Sequence, residues 1–86
     1  MELTRTIMGV RLCIEGLPYW VTADDLKEVC TQHGSVVSVR LVTDSYGLSL
    51  GYGFVEMATA EEASQAVEAL NEREHFGCLI RVTSAP

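Results

Sequence analysis

Basic residues are scarce in this chain: six Lys and Arg stand against twelve Asp and Glu, for a formal net charge of −6 and a pI near 4.7. That balance argues against tight binding to a polyanion, whose affinity comes largely from Lys and Arg neutralising phosphates. Cysteine is equally thin. Cys13, Cys30 and Cys78 are an odd number without CxxC spacing, which favours reduced, partly buried thiols over a disulfide framework or a zinc site. No apolar run approaches the roughly 18 residues that a membrane span needs, and Met1 to Val10 lacks the apolar segment of a secretory signal. A cytoplasmic protein with no membrane partner is expected. Catalytic groupings are missing too. His33 and His75 fall in different elements with no Cys or Ser placed beside them by motif. Asp24-Asp25 and Glu61-Glu62 sit where first helical turns are expected, and acids there favour the positive end of the helix dipole. The expectation is no enzyme, no cofactor and no metal.

What is present suits one small domain: 86 residues, 48% hydrophobic and 21% charged, is globular composition. A chain of that length buries about 60 to 65% of its unfolded surface. Its most informative stretch is Leu50-Gly51-Tyr52-Gly53-Phe54-Val55-Glu56-Met57. Side chains alternate across a strand, so Tyr52 and Phe54 share one face while Gly53, Val55 and Met57 take the other. Val55 and Met57 suit a core, which turns the two rings outward onto an open sheet surface.

The remaining elements follow from pattern. Leu12-Cys13-Ile14 reads as a strand after Arg11. Thr22 with Asp25 three residues on makes a capping-box start for a helix carrying Leu26, Val29 and Cys30, and Gly34 ends it. Val36 to Val42 is a β-branched strand. Asp44 to Leu50 is expected to be a loop, and Gly51 to Met57 the aromatic strand. Thr59 with Glu62 offers a second capping box before the helical stripe Ala63, Ala66, Val67, Leu70. Asn71 to Gly77 reads as a turn, and Leu79 to Thr83 as a last strand with Ile80 and Val82 inward, Arg81 and Thr83 outward. Residues 1–10 form an N-terminal extension, in which Ile7, Met8 and Val10 either extend the first strand, cover the sheet or fray; residues 11–86 form the domain. Strand, helix, strand, strand, helix, strand predicts an α+β, ferredoxin-like βαββαβ fold. It has a four-stranded antiparallel sheet with both helices on one face and the other face bare.

The octamer resembles the longer signature of the RNA recognition motif: basic, Gly, aromatic, Gly or Ala, Phe, Val, any, aromatic. Gly51, Tyr52, Gly53, Phe54 and Val55 match; Leu50 and Met57 do not. Leu12-Cys13-Ile14-Glu15-Gly16-Leu17 sits where that family keeps its shorter signature. Leu26, Cys30, Gly34, Val36, Val39, Leu41 and Asp44 are similar to its helix-to-strand pattern, and Gly77, Ile80, Val82 and Ala85 to its last strand. The wording Gly-Tyr-Gly-Phe-Val-Glu-Met resembles the small single-domain bacterial members. The resemblance implies stacking of unpaired bases on the outward rings. Departures weaken that expectation. Cys13 replaces a stacking aromatic, Leu50 replaces a basic residue, and Asp44 to Ser49 carries no Lys or Arg. Cys30 replaces a buried Phe, leaving volume for Trp20 or Met8 to fill, while the alternative for Trp20 is to stand exposed beside Tyr19 as a binding anchor.

Eight of the twelve acids lie on the expected helices and the turn after them, while Glu15, Glu56 and Asp44 fall on or beside the open face with Arg11, Arg40 and Arg81. Charges farther off than about 10 Å are largely screened near 0.1 M salt. Two readings survive. In the first, the face binds single-stranded RNA weakly and with little sequence preference. Tyr52 and Phe54 stack, Arg40 and Arg81 hold phosphates, and backbone groups of the last strand and tail read base edges. Cys13, Leu50, Glu15 and Thr83 complete the expected lining. In the second, Cys13, Leu48, Leu50, Tyr52 and Phe54 form an apolar patch for a protein partner or a homo-oligomer.

Overall fold

Two threonine hydroxyls open the two helices of the computed structural model, which describes residues 9–85. At the first, Thr22 Oγ1 accepts from Asp25 N at 3.2 Å and Asp25 Oδ2 accepts from Thr22 N at 2.9 Å, a complete capping box for α1 (Ala23–Thr31). At the second, Thr59 Oγ1 accepts from Glu62 N at 3.1 Å to start α2 (Ala60–Leu70), but the box stops there. The Glu62 carboxylate accepts instead from Thr59 Oγ1 and from Ser35 N at 3.2 Å each, tying α2 to the segment that leaves α1. The expected second box is therefore half formed, because a tertiary donor competes for the Glu62 side chain.

The strands are β1 (Val10–Glu15), β2 (Val36–Thr43), β3 (Ser49–Met57), β4 (Arg73–His75) and β5 (Cys78–Ala85), antiparallel in the order β2-β3-β1-β5-β4. The inward positions are apolar throughout: Leu12 and Ile14 on β1, Val55 and Met57 on β3, and Ile80 and Val82 on β5. They pack on Leu26 and Cys30 of α1 and Ala63, Ala66 and Leu70 of α2, and all eleven are at most 2% exposed. Full burial of each large aliphatic contributes about 1.5–3 kcal/mol. Gly53 completes that inner face for a steric reason: a Cβ there would stand 2.7 Å from Arg40 O and 3.2 Å from Leu26 Cδ1.

Four details differ from the expectations or decide between alternatives they left open. The sheet has five strands, since the presumed turn from Asn71 to Gly77 contains β4, paired to β5 through a two-residue loop. That loop is Phe76-Gly77, with φ of 57° and 77°, the conformation of a tight hairpin turn usually built from Asn-Gly or Gly-Gly. A bulky Phe at positive φ is uncommon, so the sequence carried no hairpin signal. Second, β3 begins at Ser49, inside the expected loop, because the chain kinks at Gly51 (φ 87°) where the β2–β3 register shifts. Third, β1 begins at Val10, the strand extension among the alternatives open for that residue; Ile7 and Met8 lie outside the described residues. Fourth, Trp20 does not fill the space beside Cys30. It is 52% exposed and meets Phe76 edge-on at 5.9 Å.

Cys30 is fully buried, and burial pushes its thiol up from 9.0 to about 11. A raised folded value means that the unfolded chain loses this proton first. The stability contributed by the neutral thiol is complete below pH 9 and is lost as pH climbs from 9 to about 11. Urea unfolding at pH 8 and pH 10 is expected to show a larger alkaline loss for the parent than for Cys30→Ala. Equal losses would mean that the thiol titrates as it does in water.

Candidate nucleic-acid interface

Away from the helices, strand register sets the outward side chains in three cross-strand rows. The first runs Ala85, Arg11, Glu56, Ser38; the second Thr83, Cys13, Phe54, Arg40; the third Arg81, Glu15, Tyr52. Seven of the eight residues singled out from the sequence fall in the second and third rows. The eighth, Leu50, is 53% exposed and sits on the far side of the Gly51 kink. It joins neither row.

Tyr52 and Phe54 are half-exposed and meet edge to face, centroids 6.2 Å apart at 83°. This is a favoured aromatic geometry. The Arg11 guanidinium lies over the Phe54 ring, 5.8 Å from its centroid, an attraction worth about 0.5–1 kcal/mol at an exposed site. Arg40 is the register partner of Phe54 on the other side. A shallow cleft lined by Arg11, Ser38, Arg40, Phe54 and Glu56 opens here. Its carboxylate is held in place: Ser38 Oγ donates to Glu56 Oε1 at 3.1 Å and Gly9 N donates to Glu56 Oε2 at 3.2 Å.

Cys13 stands between Phe54 and Thr83, half-buried, its Sγ donating to Glu15 Oε2 at 3.7 Å. Partial burial, reinforced by the Glu15 charge and that hydrogen bond, pushes the thiol above its ordinary value. Asp44, expected on or beside the face, is spent on the β2–β3 loop. Its Oδ1 accepts from Tyr46 N at 2.8 Å and from Leu48 N at 2.9 Å. Three guanidiniums (Arg11, Arg40, Arg81) therefore face two carboxylates (Glu15, Glu56) across the rows. The helices carry Asp24, Asp25, Glu28, Glu61, Glu62 and Glu68 behind the sheet.

Sequence reasoning left Ser38 out of the lining, and placed Arg11 and Glu56 on or beside the open face without naming them among the site residues. Arg11 and Glu56 were within its reach, each two positions along a strand from an outward residue. Ser38 was not, because a bulge between Val36 and Ser38 shifts the register of β2 and spoils the alternation.

The family model of the RNA recognition motif matches residues 12–81. The chain is 37% identical over 85 residues to glycine-rich RNA-binding protein 3, mitochondrial, of Arabidopsis thaliana, covering 98% of this chain and 28% of that protein. It is 40% identical over 73 residues to RbpE of a Nostoc species, named as an RNA-binding protein, covering 84% of this chain and 74% of that one. Among solved structures, RNA binding protein PG1 superposes with a TM-score of 0.86 at 36% identity, covering 88% and 93% of the two chains. The Sex-lethal protein in complex with RNA gives 0.86 at 28% identity, covering 99% of this chain and 53% of that one.

The half-buried, outward position of Cys13 on the middle row makes one substitution informative. Cys13→Phe is expected to be accommodated on the open face with a thermal midpoint within about 4 °C of the parent, the shift of about 1 kcal/mol in a small domain. Calorimetry checks this; a cooperative transition lost or moved far below that range would mean that position 13 belongs to the core.

Proposed function

The chain belongs to the RNA recognition motif family, and on that premise we propose that its open sheet face binds single-stranded RNA, weakly and with low overall sequence preference. The observation that carries this is the surroundings of Phe54, where the Arg11 guanidinium lies over the ring, Arg40 is its register partner on β2 and Tyr52 meets it edge-on. Rings flanked by cations suit a strand of bases joined by phosphates, because every base has a π-face and every linkage an anion. In this reading Phe54 and Tyr52 stack on successive bases, and Arg40 and Arg81 hold phosphates. Thr83 and the exposed groups of β5 meet base edges, with Glu15 between the rows. Weakness follows from Cys13, which offers no ring, and from Leu50, which offers no charge. The chain acts as a binding module and not as a catalyst. A reducing compartment such as the cytoplasm fits its three free thiols.

Stacking supplies roughly 1–3 kcal/mol per base. Phe54→Ala and Tyr52→Ala are each expected to weaken binding to short unstructured RNA by that amount while the cores of the two variants stay intact. A folded variant that binds as tightly as the parent would rule out stacking on β3.

Salt separates this reading from that of a protein partner or self-association through Cys13, Leu48, Leu50, Tyr52 and Phe54. Arg11, Arg40 and Arg81 can neutralise two or three phosphates, giving a log–log slope of affinity on salt of about −1.4 to −2.1 for a single strand. An apolar interface would associate with little salt dependence or more strongly as salt rises. Sedimentation of the protein alone and RNA titration, both at several salt concentrations, are expected to give the shallow negative slope. Micromolar self-association with no RNA binding at low salt would overturn the RNA reading.

A further inference from the structure

Resting on the RNA reading, we propose that the cleft beside Phe54 is a guanine-selecting subsite, in which the base stacked on Phe54 donates its N1–H and N2–H to the Glu56 carboxylate. Placement comes first. Glu56 follows Phe54 by two residues on β3 and shares its face, about 6.8 Å along the strand. A base lying on the ring therefore has an edge directed along the sheet at that carboxylate. Both residues line the same cleft with Arg11, Ser38 and Arg40.

Fixation comes second. Each Glu56 oxygen accepts one hydrogen bond, from Ser38 Oγ at 3.1 Å and from Gly9 N at 3.2 Å. Carboxylate oxygens have two lone pairs each, so both keep capacity for another donor. The Gly9 backbone also runs close to that side chain: a Cβ added there would stand 2.6 Å from Glu56 Cγ. The carboxylate is thus held before ligand arrives, which lowers the ordering cost of binding.

Chemistry selects the base. A carboxylate only accepts, whereas the arginines only donate. Guanine presents two adjacent donors, N1–H and the N2 amino group, beside the acceptors O6 and N7, which suit a guanidinium. Uracil presents a single N–H flanked by two carbonyl oxygens that the carboxylate repels. Cytosine and adenine each present one amino group and no second donor beside it. The Arg11 guanidinium that covers the ring in the free protein gives way to the base and is free to turn to O6 or to a phosphate.

The test is a fluorescence-anisotropy titration at low salt with a labelled oligouridine, the same oligomer carrying one central guanine, and one carrying central inosine, which lacks the N2 amino group. The wild-type protein is expected to bind the guanine oligomer about tenfold more tightly than oligouridine, within the range for a bidentate pair, with inosine between them. Glu56→Gln, which keeps side-chain length, is expected to bind all three within about twofold of one another, as one acceptor oxygen becomes a donor. Equal binding of all three oligomers by the wild type would overturn the guanine assignment and leave RNA binding standing. So would a guanine preference that survives in Glu56→Gln. Binding of none of them would overturn the RNA reading itself. The inosine comparison uses the unaltered protein, and Ser38→Ala, which frees one carboxylate oxygen, should narrow the guanine preference even if Glu56→Gln does not fold.

Discussion

The alternation of side chains across three central strands is the constraint on which the rest depends. On β1, β3 and β5 the inward positions carry Leu12, Ile14, Val55, Met57, Ile80 and Val82, while the outward ones carry Arg11, Cys13, Glu15, Tyr52, Phe54, Glu56, Arg81 and Thr83. A one-residue slip of any strand would exchange core for surface, so the burial that holds the fold together also aims the rings and guanidiniums. Gly53 tightens that coupling. Placed between Tyr52 and Phe54, it brings β3 close to the backbone of β2 and to Leu26 of α1, leaving the two rings side by side on the opposite surface.

Electrostatics are divided by the same plane. The acids that dominate the net charge sit on α1 and α2, where Asp24, Asp25, Glu61 and Glu62 also favour the positive ends of the helices. The open face holds three arginines against two glutamates. Screening over about 10 Å at moderate salt separates the two populations. An acidic pI and an open face with more arginines than glutamates are compatible in one small domain because the charge is sorted by layer.

Backbone irregularities trim the site at its edges. The kink at Gly51 ends the regular aromatic row and leaves Leu50 outside it, and the bulge at the start of β2 brings Ser38 level with Glu56. The Phe76-Gly77 turn folds β4 against β5 and brings Phe76 against Trp20, giving the loop after β1 an aromatic partner. A sheet of ideal strands would have neither the cleft nor this second pair of rings.

Periodicity made much of this legible in advance. The two-residue period of Leu12 to Ile14, Tyr52 to Met57 and Ile80 to Thr83 named both faces correctly, and the capping threonines marked both helix starts, because these signals are local and each residue's environment follows from its neighbours in the chain. The outward Tyr52–Phe54 pair, Cys13 between it and β5, and Arg40 and Arg81 were readable for the same reason. What the sequence could not determine depended on atoms distant along the chain. Ser35 drew Glu62 out of its capping box, Gly9 and Ser38 took hold of the Glu56 carboxylate, Arg11 settled over Phe54, and Trp20 found Phe76 instead of the core. Positive φ at Phe76 and the bulge beside Val37 likewise come from strand pairing and not from residue preference. Local alternation thus decided which side chains face outward, and only tertiary contact decided which of them stand together as a site.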